Sequence, residues 1–247
     1  YGTLPRAERS RLHAAAARFL ADGANGRGDE LAELIAYHFR EAATVGGLLG
    51  KVPDDVRESA VVWLRRASDA TAGAANYESA RHLRSAIDLA SPDQLPELNQ
   101  RLGDVLVAGD EAIAAYGAAL AAAKERGRSP DQILQIITSQ LLVWTRWHGS
   151  VAAGVPPDVA GLLAEAEALV PQTTDRRQHA RLEMAKAFLP HMHHGSVTHD
   201  QLLAARAAAE RAIAIAAEVD DADVTSAAYD ALGSTYMEED EFRVVID

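Results

Sequence analysis

Read for its hydrophobic and polar positions, the chain is a succession of helical stripes separated by short breaks. In the opening stretch LPRAERSRLHAAAARFLAD, Leu12, Ala16, Phe19 and Leu20 recur at helical spacing, and Pro5 suits a first helical turn. Asn25 to Gly28 interrupt the pattern. A second stripe then aligns Leu31, Leu34, Ile35, His38 and Ala42, and Gly46, Gly47, Gly50 and Pro53 punctuate it as helix breakers. Beyond Pro53 the stripes come in pairs: 54–72 with 76–90, 92–109 with 110–127, 129–149 with 158–170, and 175–192 with 198–218. A fifth pair opens at Asp223. Ser91-Pro92, Ser129-Pro130 and Asp175 read as N-terminal caps. The linkers are short, so neighbouring helices are expected to run antiparallel. Val and Ile do not alternate with polar residues over any length, and no strand is predicted.

Composition sharpens this into an all-α expectation. Hydrophobic residues make up 48% of the 247 and aromatics only 5%, with alanine prominent in almost every stripe. Alanine is the best helix former and lets helix axes approach closely. The net charge of −12 argues against nucleic-acid binding, which needs clustered Lys and Arg against phosphates. The absence of cysteine excludes disulfides, thiolate metal sites and a cysteine nucleophile, and it fits a cytoplasmic setting. No apolar run approaches the ~20 residues of a membrane-spanning helix, and no signal peptide is seen. Tyr1 in place of Met, and a helical pattern that runs on to Asp247, lead us to expect part of a longer protein.

The stripes are also related to one another. YDALGSTY places Tyr229, Leu232, Gly233 and Tyr236 at the spacing that NQRLGDVL repeats with Asn99, Leu102, Gly103 and Leu106. The second helices share a further pattern: Tyr77, Ala80, Leu83, Ala86 and Ile87 correspond to Ala112, Tyr116, Ala119 and Leu120. Ala205, Ala209, Ala212 and Ile213 correspond again. These marks resemble the tetratricopeptide repeat, over about residues 53–247. From Ala80 to Ala112 is close to that family's period of about 34 residues, whereas Ala112 to Ala205 is too long for two, so the third and fourth repeats are expected to be enlarged. The resemblance implies a right-handed superhelical array of antiparallel helix pairs, the last pair incomplete. It also implies that Gly103 and Gly233 sit where the two helices of a pair cross.

The N-terminal part carries a second resemblance. LPRAERSRLH, Leu4 to His13, with the helix that follows it, looks like the segment that joins the ATPase core of bacterial STAND-class regulators, or of adenylate cyclase-like proteins with an AAA-type ATPase, to their C-terminal repeats. This implies two parts: a helical segment over 1–52 that joins an upstream ATPase module, and the repeats over 53–247.

Few motifs point to chemistry. VGGLLGKV has Gly50-Lys51 of a phosphate-binding loop, but Val45 and Val52 replace the first glycine and the hydroxyl, so it reads as a linker. HMHHGSVTH offers His191, His194 and His199 as weak candidate metal ligands. Gly195 breaks the helix there and Asp200 is the only near acid, so a polar turn is the simpler account and no metal or other cofactor is expected. Trp144 and Trp147 share a face and are assigned to core packing, with an exposed ligand platform as the alternative. Glu238 to Glu241 read as a solvated turn. No grouping suited to catalysis emerges.

By analogy with the repeat family, first-helix positions beside the Leu-Gly pair line a concave groove. Those positions are Glu97, Gln100 and Asp104, then Gln132, Gln135 and Ser139, and Asp230 and Ser234. They are acidic or neutral, so a basic or polar partner is expected. The functional expectation is a non-enzymatic, cytoplasmic domain that binds a protein, a peptide or a small-molecule inducer and reports to the upstream ATPase. A free-standing repeat adaptor is the alternative, and metal binding through the His191–His199 loop a minor one.

Overall fold

The computed structural model describes residues 4–50, 52–151, 158–192 and 197–246. Its described residues form eleven α-helices and no strand, as the sequence pattern predicts. In chain order these are α1 (Arg6–Asp22), α2 (Ala32–Gly47), α3 (Asp54–Thr71), α4 (Asn76–Ile87), α5 (Leu95–Leu106), α6 (Gly109–Glu125), α7 (Pro130–Arg146), α8 (Val159–Leu169), α9 (Arg176–Ala187), α10 (His199–Glu218) and α11 (Ala222–Ile246). Among them no helix is long and apolar enough to cross a membrane. The chain forms two compact units, residues 1–106 and 107–247. The division falls between α5 and α6, the two helices of the second pair.

In the first unit each helix from α1 to α5 packs on the next, an α-solenoid arrangement. Ala14 and Ala17 of α1, Ile35, Phe39, Ala42 and Ala43 of α2, and Val56 and Ala60 of α3 build its core. Leu12 and Phe19 do not belong to it: α1 turns His13, Ala14 and Ala17 inward and leaves Phe19 78% exposed. Two alanines, Ala14 and Ala17, allow α2 to come close, which a row of Leu and Phe would prevent. Leu34 is likewise exposed, and Ala32, Ile35, Ala36, Phe39, Ala42 and Ala43 make the buried stripe of α2. Gly46 and Gly47 continue that helix instead of breaking it. The chain leaves it at Gly50, whose φ of +67° only glycine adopts without strain. Since α2 packs on α3, the break at Pro53 lies inside one compact unit. Ion pairs tie helices two apart, with Arg18 to Asp55 at 2.7 Å, Arg65 to Glu97 at 3.1 Å and Arg101 to Asp69 at 2.8 Å.

In the second unit α6 and α8 pack on α7, α7 on α9, α9 on α10 and α11, and α10 on α11. The second-helix pattern read from sequence matches burial closely: Ala80, Leu83, Ala86, Ala112, Tyr116, Ala119, Leu120, Ala205, Ala209 and Ala212 are all buried. Ile87 and Ile213 of the same pattern are half-buried, and Tyr77 is 77% exposed. The predicted caps hold at Ser129, which accepts from the Gln132 amide, and at Asp175, which accepts from that of Arg177. Thr198 and Gln201 add a capping box on α10. Ser91 precedes a turn, and α5 starts only at Leu95. Glu238 to Glu241 lie within α11 and not in a turn.

Two helices are enclosed. The α7 residues from Ile136 to Val143 are all buried, the apolar Ile136, Ile137, Leu141, Leu142 and Val143 together with the polar Thr138, Ser139 and Gln140. By contrast α9, with the sequence RRQHARLEMAKA, is polar yet sits between α7, α10 and α11. Its polar groups are paired across to those neighbours: the Thr138 hydroxyl donates to Gln178 Oε1 at 2.9 Å, Arg181 donates to Ser139 at 3.1 Å, and Arg211 donates to Glu183 at 2.7 Å. Arg176 and Arg177 bridge to Glu218 and Asp221 at 2.7 and 2.6 Å.

The packing role of Gly233 is not found. Gly103 is buried in α5, but Gly233 is exposed in α11 and an added Cβ meets nothing within 4 Å. Tyr229 and Tyr236, on the same face, are 58% and 51% exposed. Gly233→Ala is therefore expected to raise stability in urea denaturation by up to about 1 kcal/mol, the helix-propensity difference. Thr138→Val should lower it by about 1–3 kcal/mol, because Gln178 Oε1 then has no donor in a buried site.

Candidate functional site

The groove positions fall in both units: Glu97, Gln100 and Asp104 on α5, and Gln132, Gln135, Ser139, Asp230 and Ser234 on α7 and α11. Gln132 and Gln135 are exposed on α7, while Ser139 is only 4% exposed and held by Arg181, so it does not line an open surface. The Ser234 hydroxyl donates to the Ala231 carbonyl of its own helix at 2.7 Å. Glu97 and Asp230 are compensated. Arg65 and Arg101 flank Glu97 at 3.1 and 3.2 Å, and Arg146 reaches Asp230 at 3.3 Å. This pairing removes much of the negative excess on which the expectation of a basic partner rests.

Of the histidine loop, His194 lies outside the described residues. His191 falls in a short 3-10 turn, Leu189–Met192, and His199 is exposed as the first residue of α10. Among the described residues no three His, Asp or Glu side chains come together as a metal site. The phosphate-loop likeness is preceded by helix α2 and not by a strand, and Lys51 is outside the described residues. The two tryptophans do not share a buried face. Trp147 is 43% exposed, with the Arg146 guanidinium 5.2 Å from its ring, whereas Trp144 is half-buried and lines a cleft between α6, α7 and α8.

Sequence reasoning missed two features. A second cleft, of about 420 Å³, lies over α9 between α8 and α10, and Lys186 lines it. Burial pulls the pKa of Lys186 down, but its bonds to Glu167 at 2.8 Å and Glu183 at 2.9 Å outweigh that and hold it above its ordinary value. The ammonium thus stays charged, and the cleft keeps an internally neutralised polar wall with apolar Leu163, Leu189 and Pro190. The other feature is a histidine pair. His13 of α1 and His38 of α2 meet Nδ1 to Nδ1 at 2.9 Å, so one ring donates and the other accepts. Tyr37 stands edge-on to both rings. Two His read from sequence on separate stripes gave no sign of this, because only the packing of α1 on α2 joins them.

Burial, together with the charges of His38 and Arg9 and against the pull of Glu41, sets the His13 pKa below 6.5. His179, bonded to Thr173 at 2.7 Å, is also lowered, by burial and then by Arg176, against Asp175 and Asp131. No family model matches the chain, and no curated protein matches it in sequence.

Both histidines bind protons more weakly when folded than when unfolded, so stability rises with pH through this range. It is complete above the unfolded value and declines as pH falls below it toward the folded values. The melting temperature should therefore be lower at about pH 5.5 than at about pH 7.5, and the double variant His13→Gln/His179→Gln should narrow that gap.

Proposed function

We propose that the chain is a non-enzymatic interaction and ligand-sensing domain of tetratricopeptide-repeat type, working in the cytoplasm within a signalling or transcription-regulating ATPase. The observation that carries the reading is the row of first helices α7, α9 and α11, packed in succession, with Gln132 and Gln135 exposed on α7. Stacked first helices are the surface on which such repeats hold extended partners. The likeness of Leu4 to His13 to an ATPase-proximal segment supplies the signalling part of the proposal, and a switch of this kind works by population shift. A partner with unequal affinity for two states of the ATPase biases them, by no more than that difference in binding free energy.

A protein or peptide partner is the favoured class. Exposed Gln132 and Gln135, with Asp230 compensated by Arg146, suit a partner with mixed polar side chains better than a strongly basic one. Selection of a random peptide library on the chain should enrich binders. Their affinity should fall by about tenfold in Gln132→Arg/Gln135→Arg, whose exposed positions leave helix content by circular dichroism unchanged. A library that yields no binder, or binders indifferent to that double variant, would overturn the assignment of this surface.

A further inference from the structure

Gly117, like Gly233, has no packing explanation, but it lines a cleft. Gly117 lies in the interior of α6, among alanines, where alanine is the better helix former. Packing does not require it. An added Cβ meets only Gln140 Nε2, at 3.7 Å, which is ordinary contact. The missing side chain opens space instead, because Gly117 lines the cleft between α6, α7 and α8.

That cleft has about 410 Å³, within the roughly 300–1,000 Å³ of small-molecule sites. Trp144, Leu120 and Leu162 give it apolar walls. Gln140 lines it too and is only 8% exposed. Its Nε2 donates to the Ile113 carbonyl at 3.5 Å, but its Oε1 is buried with no donor reaching it among the described residues. A buried acceptor left without a donor is destabilising, and a ligand donor would answer it. The charged groups on the lining are both acids. Asp158 caps α8 through the Gly161 amide at 2.8 Å, and Glu165 pairs with Lys124 at 2.8 Å, which leaves a net negative rim.

We infer that this cleft is a binding site for a small organic cation with a flat apolar ring and an N–H donor, an arylalkylamine in its simplest form. The ring lies against Trp144, an N–H answers Gln140 Oε1, and the positive charge faces Asp158. The site is separate from the partner surface on α7, α9 and α11 and does not depend on it. Gly117 is a specificity determinant, since any side chain there narrows the cleft.

Phenethylamine and phenylacetate share a ring and differ in the sign of their charge, which makes them a matched pair of probes. The indole N–H signals of Trp63, Trp144 and Trp147 are followed by nitrogen-15 NMR of the whole chain, with the Trp144 signal assigned by Trp144→Phe. Phenethylamine is expected to move the Trp144 signal selectively and saturably, and phenylacetate to leave it in place. Gly117→Ala should weaken binding by about tenfold, the effect of one carbon in a close-fitting site, while raising the melting temperature. Gly117→Leu should abolish binding. The proposal is overturned if phenethylamine leaves Trp144 unmoved, if phenylacetate moves it equally, or if Gly117→Ala keeps full affinity. None of these outcomes bears on peptide binding at Gln132 and Gln135, so the two assignments stand or fall apart.

Discussion

Close approach between alanine-faced helices is the constraint on which the rest of this structure depends. Ala112, Ala115, Ala119 and Ala123 on α6, and Ala205, Ala208, Ala209, Ala212 and Ala216 on α10, are buried as nearly continuous seams. A seam of methyl groups lets helix axes come to the short end of the usual 8–10 Å range, and it offers little apolar area per residue. Stability must then come from many such seams in series and not from one large core. That is the logic of a repeat array, in which each element depends on its neighbours.

The same constraint explains the treatment of polar residues. With so few bulky side chains available to fill space, α9 is enclosed although its sequence is polar. Its enclosure is eased because Gln178, Glu183 and Lys186 find partners on α7, α8 or α10 and Arg181 donates through Nη2 to Ser139, its Nε alone being left without a partner among the described residues. Buried polar groups are costly alone and acceptable when paired, and the pairing also sets which residues of α7 and α9 stand opposite each other. One consequence is that Ser139, a plausible surface residue by spacing, serves this internal network.

Where polar satisfaction or glycine packing fails, function is the natural place to look. Gln140 Oε1 is left without a donor among the described residues and Gly117 is left without a packing reason, and the two line one cleft. Gly233 shows that an unexplained glycine alone means little: it is exposed, and a methyl group there meets nothing. The difference between the two positions is the buried, unanswered amide beside Gly117.

The amino-acid sequence by itself determined the all-α class, the number and positions of the main stripes, several caps and much of the buried faces of α4, α6 and α10. These follow from local propensity and from a period of 3.6, both readable within one helix. It misjudged α1 and α2, where Phe19 and Leu34 look like core residues but alanines and Ile35 take the inside. Hydrophobicity ranks side chains, whereas the close approach of two helices selects small ones. Only the tertiary structure decided the pairing of His13 with His38, the burial of polar α9 and the separation of Trp144 from Trp147. The cleft beneath Gly117 was decided in the same way. Each brings together residues on different helices, and their meeting depends on how those helices are rotated about their axes, which no single stripe encodes.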